Sequence, residues 1–131
     1  MSYGDDQTLF MRLGRQTVNQ WNPEQAGRYM AHIEEEARES KEAWAEGDYV
    51  KSVDGAVDTI VVALGFLRSL AIDPDKAWAV VLKANMSKVD GTFGPTVWRQ
   101  DGQIGKPDGF IPPEAELQKL IALSMEKIKD A

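Results

Sequence analysis

Six glutamates follow one another closely in the chain, and their spacing could bring several carboxylates to one place. They are Glu34, Glu35, Glu36, Glu39, Glu42 and Glu46. On a helix, spacings of three and four residues put Glu35, Glu39 and Glu42 on one stripe, with Glu36 beside it. Like charges at these spacings repel, so the cluster needs either water or a cation. A solvated acidic face is the simplest interpretation, and a metal site is the alternative.

Two aspartates further along the chain favour the metal site. Asp54 and Asp58 are one helical turn apart in the most apolar part of the sequence, where an unpaired buried carboxylate is costly. They need cations, a raised pKa, or hydroxyl or basic partners. Two antiparallel helices joined at Gly47 would place Glu35 and Glu39 opposite these aspartates. Because a set of oxygen ligands is typical of Mg²⁺ or Mn²⁺ sites, we expect a magnesium site here.

Other catalytic chemistries find little support in the sequence. His32 is the only histidine and has no glutamate three residues before it, whereas a di-iron bundle uses Glu-x-x-His on two helices. The chain has no cysteine, which excludes thiol nucleophiles and cysteine-ligated zinc. The segment Gly102–Lys106 lacks the spacing and the Ser/Thr of a P-loop.

A basic group follows the acidic one along the chain. Asn85 and Lys88 are three residues apart and share a face of one predicted helix, and Lys106 follows in the next segment. Basic side chains at a helix C-terminus can simply complement the helix dipole. Beside a carboxylate-bound cation, the same side chains could instead hold a polyphosphate.

Helix start and stop residues define the elements that would position these groups. Asn22-Pro23 and Asp73-Pro74 each place an N-cap before a proline, and Gly47 can end a helix. The predicted helices cover residues 8–21, 23–46, 48–71, 74–88 and 113–130. The third is apolar nearly all round, which predicts that it is central and buried. We therefore expect an all-α bundle of four to five helices.

Residues 89–111 differ from the rest because they contain five of the 11 glycines. The segment Thr96–Gln100, followed by Asp101-Gly102 and Gln103-Ile104, predicts a small β-hairpin with a type I′ turn. Because aromatic side chains such as Trp98 are embedded in it, we expect an ordered flap.

Length and composition restrict the classes of function. The chain of 131 residues predicts one domain, with a helical core over about 8–88, a flap over 89–111 and a C-terminal helix over 113–130. Its net charge of −6 argues against a nucleic-acid polymer as partner. The longest apolar run is too short to span a bilayer, and the acidic start does not look like a signal peptide. We expect a cytoplasmic protein without membrane contact.

Several motifs occur in a characteristic order. Glu35-Glu36-Ala37-Arg38-Glu39 forms an E-E-x-x-E motif, Asp58 follows in the next helix, and Ala84–Lys88 and Asp101–Pro113 come later. Over roughly residues 23–113 this order resembles the all-α nucleoside triphosphate pyrophosphohydrolases. It is most similar to the small, often phage-encoded MazG-like proteins, which are related to all-α dUTPases and phosphoribosyl-ATP pyrophosphohydrolase.

The resemblance implies a dimer or tetramer that cleaves a nucleoside triphosphate between its α- and β-phosphates. It also implies two or more Mg²⁺ ions, with Mn²⁺ able to substitute. Glu36 and Glu39 would be metal ligands, and Glu35 a ligand or the base that activates water. The second family motif is E-x-x-D. Here Asp58 fills its last position, Gly55 replaces the glutamate, and Asp54 stands one residue earlier.

The remaining assignments concern the substrate. Lys88, Asn85 and Lys106 would contact the outer phosphates, and we assign Lys88 to catalysis together with Glu35. Gln16, Asn19 and Trp21 in the first predicted helix, and Trp98 in the flap, are candidates for contacts to the base. The expected substrate is a (d)NTP, with dGTP or another purine deoxynucleotide as one candidate. The alternative is a catalytically inactive helical dimerisation module, which the missing E-x-x-D glutamate favours.

Overall fold

The computed structural model describes the backbone of residues 2–129 and the side chains of residues 2–126. This part of the chain contains five α-helices and no β-sheet: α1 (Tyr3–Leu13), α2 (Pro23–Ala45), α3 (Tyr49–Ser69), α4 (Pro74–Ser87) and α5 (Glu114–Lys129). The prediction of an all-α architecture is confirmed. None of the helices in the described residues is both long and apolar enough to cross a membrane.

N-cap side chains begin the three helices in the middle of the chain, at the two predicted positions, Asn22 and Asp73, and also at Asp48. The side chains of Asn22, Asp48 and Asp73 each accept a hydrogen bond from a backbone N–H in the first turn of α2, α3 and α4. Pro23 and Pro74 occupy the first helical positions, where a missing N–H costs no helical hydrogen bond. Between α2 and α3, Gly47 adopts a positive φ of 77°, which glycine allows without strain.

The first helix lies earlier in the chain than predicted. α1 begins at Tyr3 because Ser2 and Asp5 form a reciprocal capping box, and it ends at Leu13. Arg15 and Asn19 have positive φ values of 59° and 58°, which no α-helix contains. The prediction of a helix over 8–21 is therefore wrong after residue 13, and residues 14–22 form a loop.

Hydrogen bonds to other helices, instead of helical hydrogen bonds, fix the conformation of this loop. The Gln25 Nε2 group donates to the carbonyl oxygen of Thr17 at 2.9 Å and to Ser69 Oγ at 2.8 Å. The Arg68 guanidinium donates to Asn19 Oδ1 at 3.1 Å. Because these partners come from α2 and α3, the apolar spacing within residues 8–21 could not reveal the loop.

The helices α2 and α3 form the most extensive contact of the fold and run antiparallel. At their loop end, Ser40 Oγ donates to the Ser52 carbonyl oxygen at 2.6 Å, and Ser52 Oγ donates to that of Ser40 at 3.0 Å. A Cβ atom at Gly55 would lie 2.9 Å from Ser40 Cβ. At the other end, the Tyr29 ring occupies the space that a Cβ at Gly65 would need. Small residues therefore allow the close approach of the two backbones.

The outer face of α3 is exposed, so the prediction of a helix buried all round is wrong for the single chain. Val50, Val53, Val57 and Ile60 have exposed fractions of 84%, 63%, 52% and 54%. One side of α3 packs against α2 and α1. No helix of the described chain covers the opposite side.

The segment between α4 and α5, all of which the structure describes, contains no β-strand. Its one backbone pairing is an isolated bridge between Trp98 and Ile104. The Gly102 N–H donates to the Arg99 carbonyl oxygen at 3.0 Å, so the turn begins at Arg99. A type I′ turn needs positive φ at two successive residues, and here Gly102 alone has one, of 83°. The predicted β-hairpin with a type I′ turn is therefore wrong.

Candidate functional site

The five predicted metal-binding carboxylates lie on the two helices that pack most closely. Glu35, Glu36 and Glu39 are in the middle of α2, and Asp54 and Asp58 are in the first half of α3. The Ser40–Gly55 contact lies directly beside them in sequence on both helices. The tight antiparallel crossing therefore brings the two acidic groups towards each other.

Among these carboxylates, Glu36 has a pKa that the other four raise. Its pKa is raised above the ordinary value of 4.5, first by partial burial and then by repulsion from Asp58, Glu39, Glu35 and Asp54. Coulombic repulsion weakens with distance and with solvent screening, so these four carboxylates are near enough to act on the charge of Glu36. We call the five carboxylates Glu35, Glu36, Glu39, Asp54 and Asp58 the acidic cluster.

Within the described residues, four members of the acidic cluster have no basic partner, and the fifth, Glu35, lies 3.8 Å from His32 Nδ1. Glu36, Glu39, Asp54 and Asp58 make no ion pair with any lysine, arginine or histidine that the structure describes, in contrast to Glu42, whose carboxylate pairs with Arg38 at 3.0 Å. The alternative in which basic partners neutralise the two aspartates is not what the structure shows. These carboxylates remain available to a cation.

The carboxylates are not gathered tightly around one point. Among the described residues, no three Asp, Glu or His side chains are arranged to hold a metal ion as they stand. Glu36, Glu39 and Asp58 are half-buried, while Glu35 and Asp54 are exposed. Five like charges without a counterion repel, and an all-oxygen donor set of this kind fits Mg²⁺, which often keeps several of its waters.

His32 belongs to the surface beside the cluster and is not one of its donors. Its Nδ1 lies 3.8 Å from Glu35 Oε2, and its ring packs edge-on to Tyr29 with centroids 6.5 Å apart. This placement agrees with the expectation of an ordinary polar helix residue.

Of the four residues predicted to contact the base, only Gln16 reaches a cleft near the acidic cluster. Its Oε1 accepts a hydrogen bond from the Tyr29 hydroxyl. Asn19 is bound to Arg68, Trp21 pairs with Leu70 through an isolated backbone bridge, and Trp98 lies in the segment between α4 and α5. The structure therefore does not bring these four residues together.

The cleft at Gln16 has a volume of about 360 Å³ and contains residues that the sequence did not single out. It is lined by Phe10, Gln16, Gln25, Arg28, Tyr29, His32 and Val62. Burial raises the pKa of Tyr29, while its hydrogen bonds with Gln16 and Gln7 lower it. These residues come from α1, the loop after it, α2 and α3, so no local spacing could have pointed to them.

The structure also gathers the predicted basic group. Lys88 Nζ donates to Asn85 Oδ1 at 3.4 Å and lies 5.1 Å from the centre of the Phe110 ring. Lys106 Nζ approaches the same ring at 6.0 Å. Neither ammonium group pairs with an acidic side chain that the structure describes, so the lysine group, Asn85, Lys88 and Lys106 around Phe110, carries two uncompensated positive charges.

No hydrogen bond or ion pair of the described residues joins the acidic cluster to the lysine group. Helix α4, which carries Asn85 and ends just before Lys88, packs sparingly against α3 and α5 and has no extended contact with α2. A ligand that contacts both groups would therefore have to connect them itself.

Comparison with known families accounts for the arrangement on α2 and α3. The family of phosphoribosyl-ATP pyrophosphohydrolases matches residues 6–85, more than half of the chain. The chain belongs to this family. The family is part of the all-α, MazG-like pyrophosphohydrolase superfamily, so the resemblance seen in the sequence motifs is confirmed. A search among curated proteins finds no match.

The extent of the family match is informative about the site. It includes all five carboxylates of the acidic cluster, the cleft at Gln16 and Asn85, and it ends before Lys88. Family membership indicates a nucleotide pyrophosphohydrolase. The segment that carries Lys88, Lys106 and Trp98 lies outside the match.

Proposed function

We propose that this protein hydrolyses a nucleoside triphosphate, in particular a (d)NTP, to the monophosphate and pyrophosphate in a reaction that depends on Mg²⁺. The observation that carries the proposal is the acidic cluster, in which four carboxylates raise the pKa of Glu36 while no described lysine or arginine pairs with them. Such a cluster is unfavourable in isolation. It becomes favourable once divalent cations bind, and these also invert the local charge for an anionic substrate.

Glu36, Glu39 and Asp58, the half-buried members of the cluster, would hold two or more Mg²⁺ ions, with Asp54 completing the set. When bound, the ions would offset the charge of the triphosphate and favour ionisation of the attacking water. Glu35 is exposed and adjacent to Glu36, so we assign it as the proton acceptor for that water.

The chain's own cations would act on the leaving group. Charge develops on the pyrophosphate as the bond between the α- and β-phosphates breaks, and positive groups fixed near it stabilise the transition state. We assign this role to Lys88 and Lys106, with Asn85 orienting Lys88 through the hydrogen bond to its ammonium group.

For the base, the cleft at Gln16 is our candidate site. It offers an aromatic wall from Phe10 and polar groups from Gln16 and Arg28. His32 joins this cleft to Glu35, so a base bound there would leave its phosphates directed towards the acidic cluster. Amide and guanidinium groups suit the edge of a purine such as guanine, which keeps dGTP among the candidates.

The decisive test is a nucleotide panel with Mg²⁺, scored by pyrophosphate release. The panel contains the four dNTPs, the four NTPs and phosphoribosyl-ATP, the compound in the family name. We expect release from at least one dNTP at a rate above that from phosphoribosyl-ATP. If phosphoribosyl-ATP is the best substrate, the assignment to dNTPs is wrong.

The competing function is a catalytically inactive helical interaction module, which Gly55 in place of the E-x-x-D glutamate favours. It predicts no pyrophosphate release from any compound of the panel. The variant Glu39→Gln distinguishes true turnover from contamination, because loss of an essential electrostatic contact should lower the rate by about 100-fold or more. A thermal melt of the same sample shows whether the variant is folded.

The metal assignment has a test that does not depend on turnover. Ligands that bind only the folded state raise its stability by RT ln(1 + [L]/Kd). We expect Mg²⁺, added with a non-hydrolysable triphosphate, to raise the melting temperature of the wild type and to have a much smaller effect on Asp58→Asn. An equal rise in both proteins would remove Asp58 from the set of ligands.

A further inference from the structure

The cleft at Gln16 contains two glutamines, of which one is fully occupied by the fold. The Oε1 atom of Gln25 accepts from the backbone N–H and the hydroxyl of Thr17, at 3.2 and 3.3 Å, and its Nε2 donates to the Thr17 carbonyl oxygen and to Ser69 Oγ. An amide has two N–H donors and one acceptor oxygen, so Gln25 has no free group for a ligand. Gln16 is half-buried, and within the described residues only its Oε1 is used by another side chain. Gln16 is therefore the glutamine that can contact a ligand.

The Tyr29 hydroxyl determines which end of the Gln16 amide is free. It donates a hydrogen bond to Gln16 Oε1. Because the oxygen and the nitrogen of an amide lie on opposite sides of the same carbon, the Nε2 group of Gln16 points away from Tyr29. This Nε2 group has no hydrogen-bond partner in the described chain and is not among its buried polar atoms. Its two N–H donors are thus available to a ligand in the cleft.

A third side chain, Gln7 on α1, fixes the direction of this hydrogen bond. Gln7 is 4% exposed and is the second hydrogen-bond partner of the Tyr29 hydroxyl. Its buried Nε2 group has no other partner in the part of the chain that the structure describes. Since an N–H group can only donate, the hydroxyl oxygen accepts from Gln7, and its single hydrogen is left for Gln16. Gln16 must therefore turn its oxygen, and not its nitrogen, towards Tyr29.

The other polar side chains of the cleft agree with this orientation. Arg28, whose exposed guanidinium pairs with Glu24 at 3.4 Å, offers only N–H donors. His32 faces Glu35 with its Nδ1 and so lies on the side of the acidic cluster. Away from that side, the cleft presents donors from Gln16 and Arg28 and no free amide oxygen.

We propose that Tyr29 is a positioning residue for base selection, which holds the Gln16 amide so that the cleft binds guanine in preference to adenine. The edge of guanine carries two acceptors, O6 and N7, whereas adenine carries an amino donor in place of O6. Two donors that face each other leave both without a partner, which weakens binding. The proposal rests on the proposed function, because that function places the base of the substrate in this cleft.

The preference is measured by binding, which needs no turnover. The probes are the α,β-methylene analogues of dGTP and dATP, in which the bond to be cleaved is replaced by one that resists hydrolysis. They are titrated by calorimetry in the presence of Mg²⁺. We expect the wild type to bind the guanine analogue roughly 5- to 150-fold more tightly, the range for one good pair of hydrogen bonds to a base. Equal affinities, a preference for adenine, or no binding of either analogue overturns the proposal.

Three variants test the role of Tyr29 in this preference. Tyr29→Phe keeps the ring that fills the space beside Gly65 but frees the Gln16 amide to rotate, so it should lose most of the preference. Gln16→Glu replaces both donors with acceptors and should reverse the preference towards adenine. Tyr49→Phe removes an exposed hydroxyl at the start of α3 and, as the matched control, should bind both analogues like the wild type. An affinity ratio that Tyr29→Phe leaves unchanged would mean that Tyr29 only packs.

The outcome is distinguishable from that of the hydrolysis itself. Thermal melts show which variants are folded, and if Tyr29→Phe is not, the reversal in Gln16→Glu decides. A guanine preference that both variants change, in a protein that releases pyrophosphate from no dNTP, would support the base selection while the proposed function fails. Hydrolysis of dNTPs with equal affinity for the two analogues would leave the proposed function standing and overturn the selection by Tyr29 and Gln16.

Discussion

At the scale of single residues, the charged side chain of Glu36 lowers the stability of the folded state. Partial burial and the surrounding carboxylates both disfavour its charged form, and each effect exists only when α2 and α3 are packed together. In the unfolded chain the two aspartates of α3 are no longer held beside it. The folded protein therefore binds a proton at Glu36 more tightly than the unfolded protein does.

This difference predicts a stabilising substitution. Because the folded-state pKa is raised, the wild type loses stability as the pH rises through that pKa. Without metal at pH 7, we expect Glu36→Gln to melt at a higher temperature than the wild type. The advantage should vanish below the ordinary glutamate pKa of 4.5, where the wild-type side chain is protonated in both states.

The control for this comparison is Glu46→Gln, which removes a glutamate at the end of α2 that does not act on Glu36. Thermal melts at both pH values, with a chelator present, give the result. A stabilisation by Glu36→Gln that persists unchanged at the lower pH would contradict repulsion as its cause.

At the scale of elements, the crossing of α2 and α3 explains the departure from the E-x-x-D motif. Gly55 faces the Ser40 backbone, and an added Cβ would lie 3.1 Å from Ser40 Cα. The larger side chain of a glutamate at position 55 would force the two helices apart at this crossing. Asp54, one residue earlier and exposed, supplies a carboxylate without this conflict.

The crossing predicts opposite effects of one substitution at two glycines. Gly55→Ala should lower the free energy of unfolding by about 1–3 kcal/mol, as overpacking of a tight contact does. Gly27→Ala, in the same helix pair but with no atom within 4 Å of the added methyl group, should raise it by up to about 1 kcal/mol through helix propensity. Chemical denaturation of both variants provides the measurement, and stabilisation by Gly55→Ala would show that the helices can separate at little cost.

The helix ends and turns also show which parts of the fold can be predicted from nearby residues in the sequence. The starts of α2, α3 and α4 were predictable because Asn22, Asp48 and Asp73 act on the helix that follows each of them. The end of α1 was not, because Gln25 and Arg68 hold the loop after it from a distance. The turn at Arg99 was missed by one residue, since Asp101-Gly102 fits two adjacent turn registers and packing decides between them.

The candidate site likewise contains one part that local sequence predicts and one part that it does not. The acidic cluster was predictable because helical spacing fixes which carboxylates share a face and the short loop at Gly47 fixes the antiparallel pairing. The cleft at Gln16 was not, because its walls come from four separate segments. Tyr29 looks like an ordinary core residue in the sequence, and only the fold places its hydroxyl against Gln16.

At the scale of the whole molecule, the single chain is incompletely buried. Its most apolar helix, α3, exposes a continuous apolar face formed by Val50, Val53, Val57 and Ile60. Association of copies of the chain, which the family resemblance implies, would cover this face. Folding and assembly would then be linked, because association stabilises the folded chain.

Coupled folding and assembly predicts that thermal stability depends on protein concentration. Each tenfold rise in concentration stabilises a folded dimer by about 1.4 kcal/mol, which for a pair of chains of this length should raise the melting temperature by roughly 2–3 °C. A monomer has no such dependence, so Val53→Glu, which places a charge on the exposed face of α3, should make the melting temperature independent of concentration. Calorimetry on serial dilutions of the wild type and Val53→Glu makes the comparison, with Leu123→Glu on α5, at 54% exposure, as the control. A wild type whose melting temperature stays constant over a hundredfold dilution would contradict the link between folding and assembly.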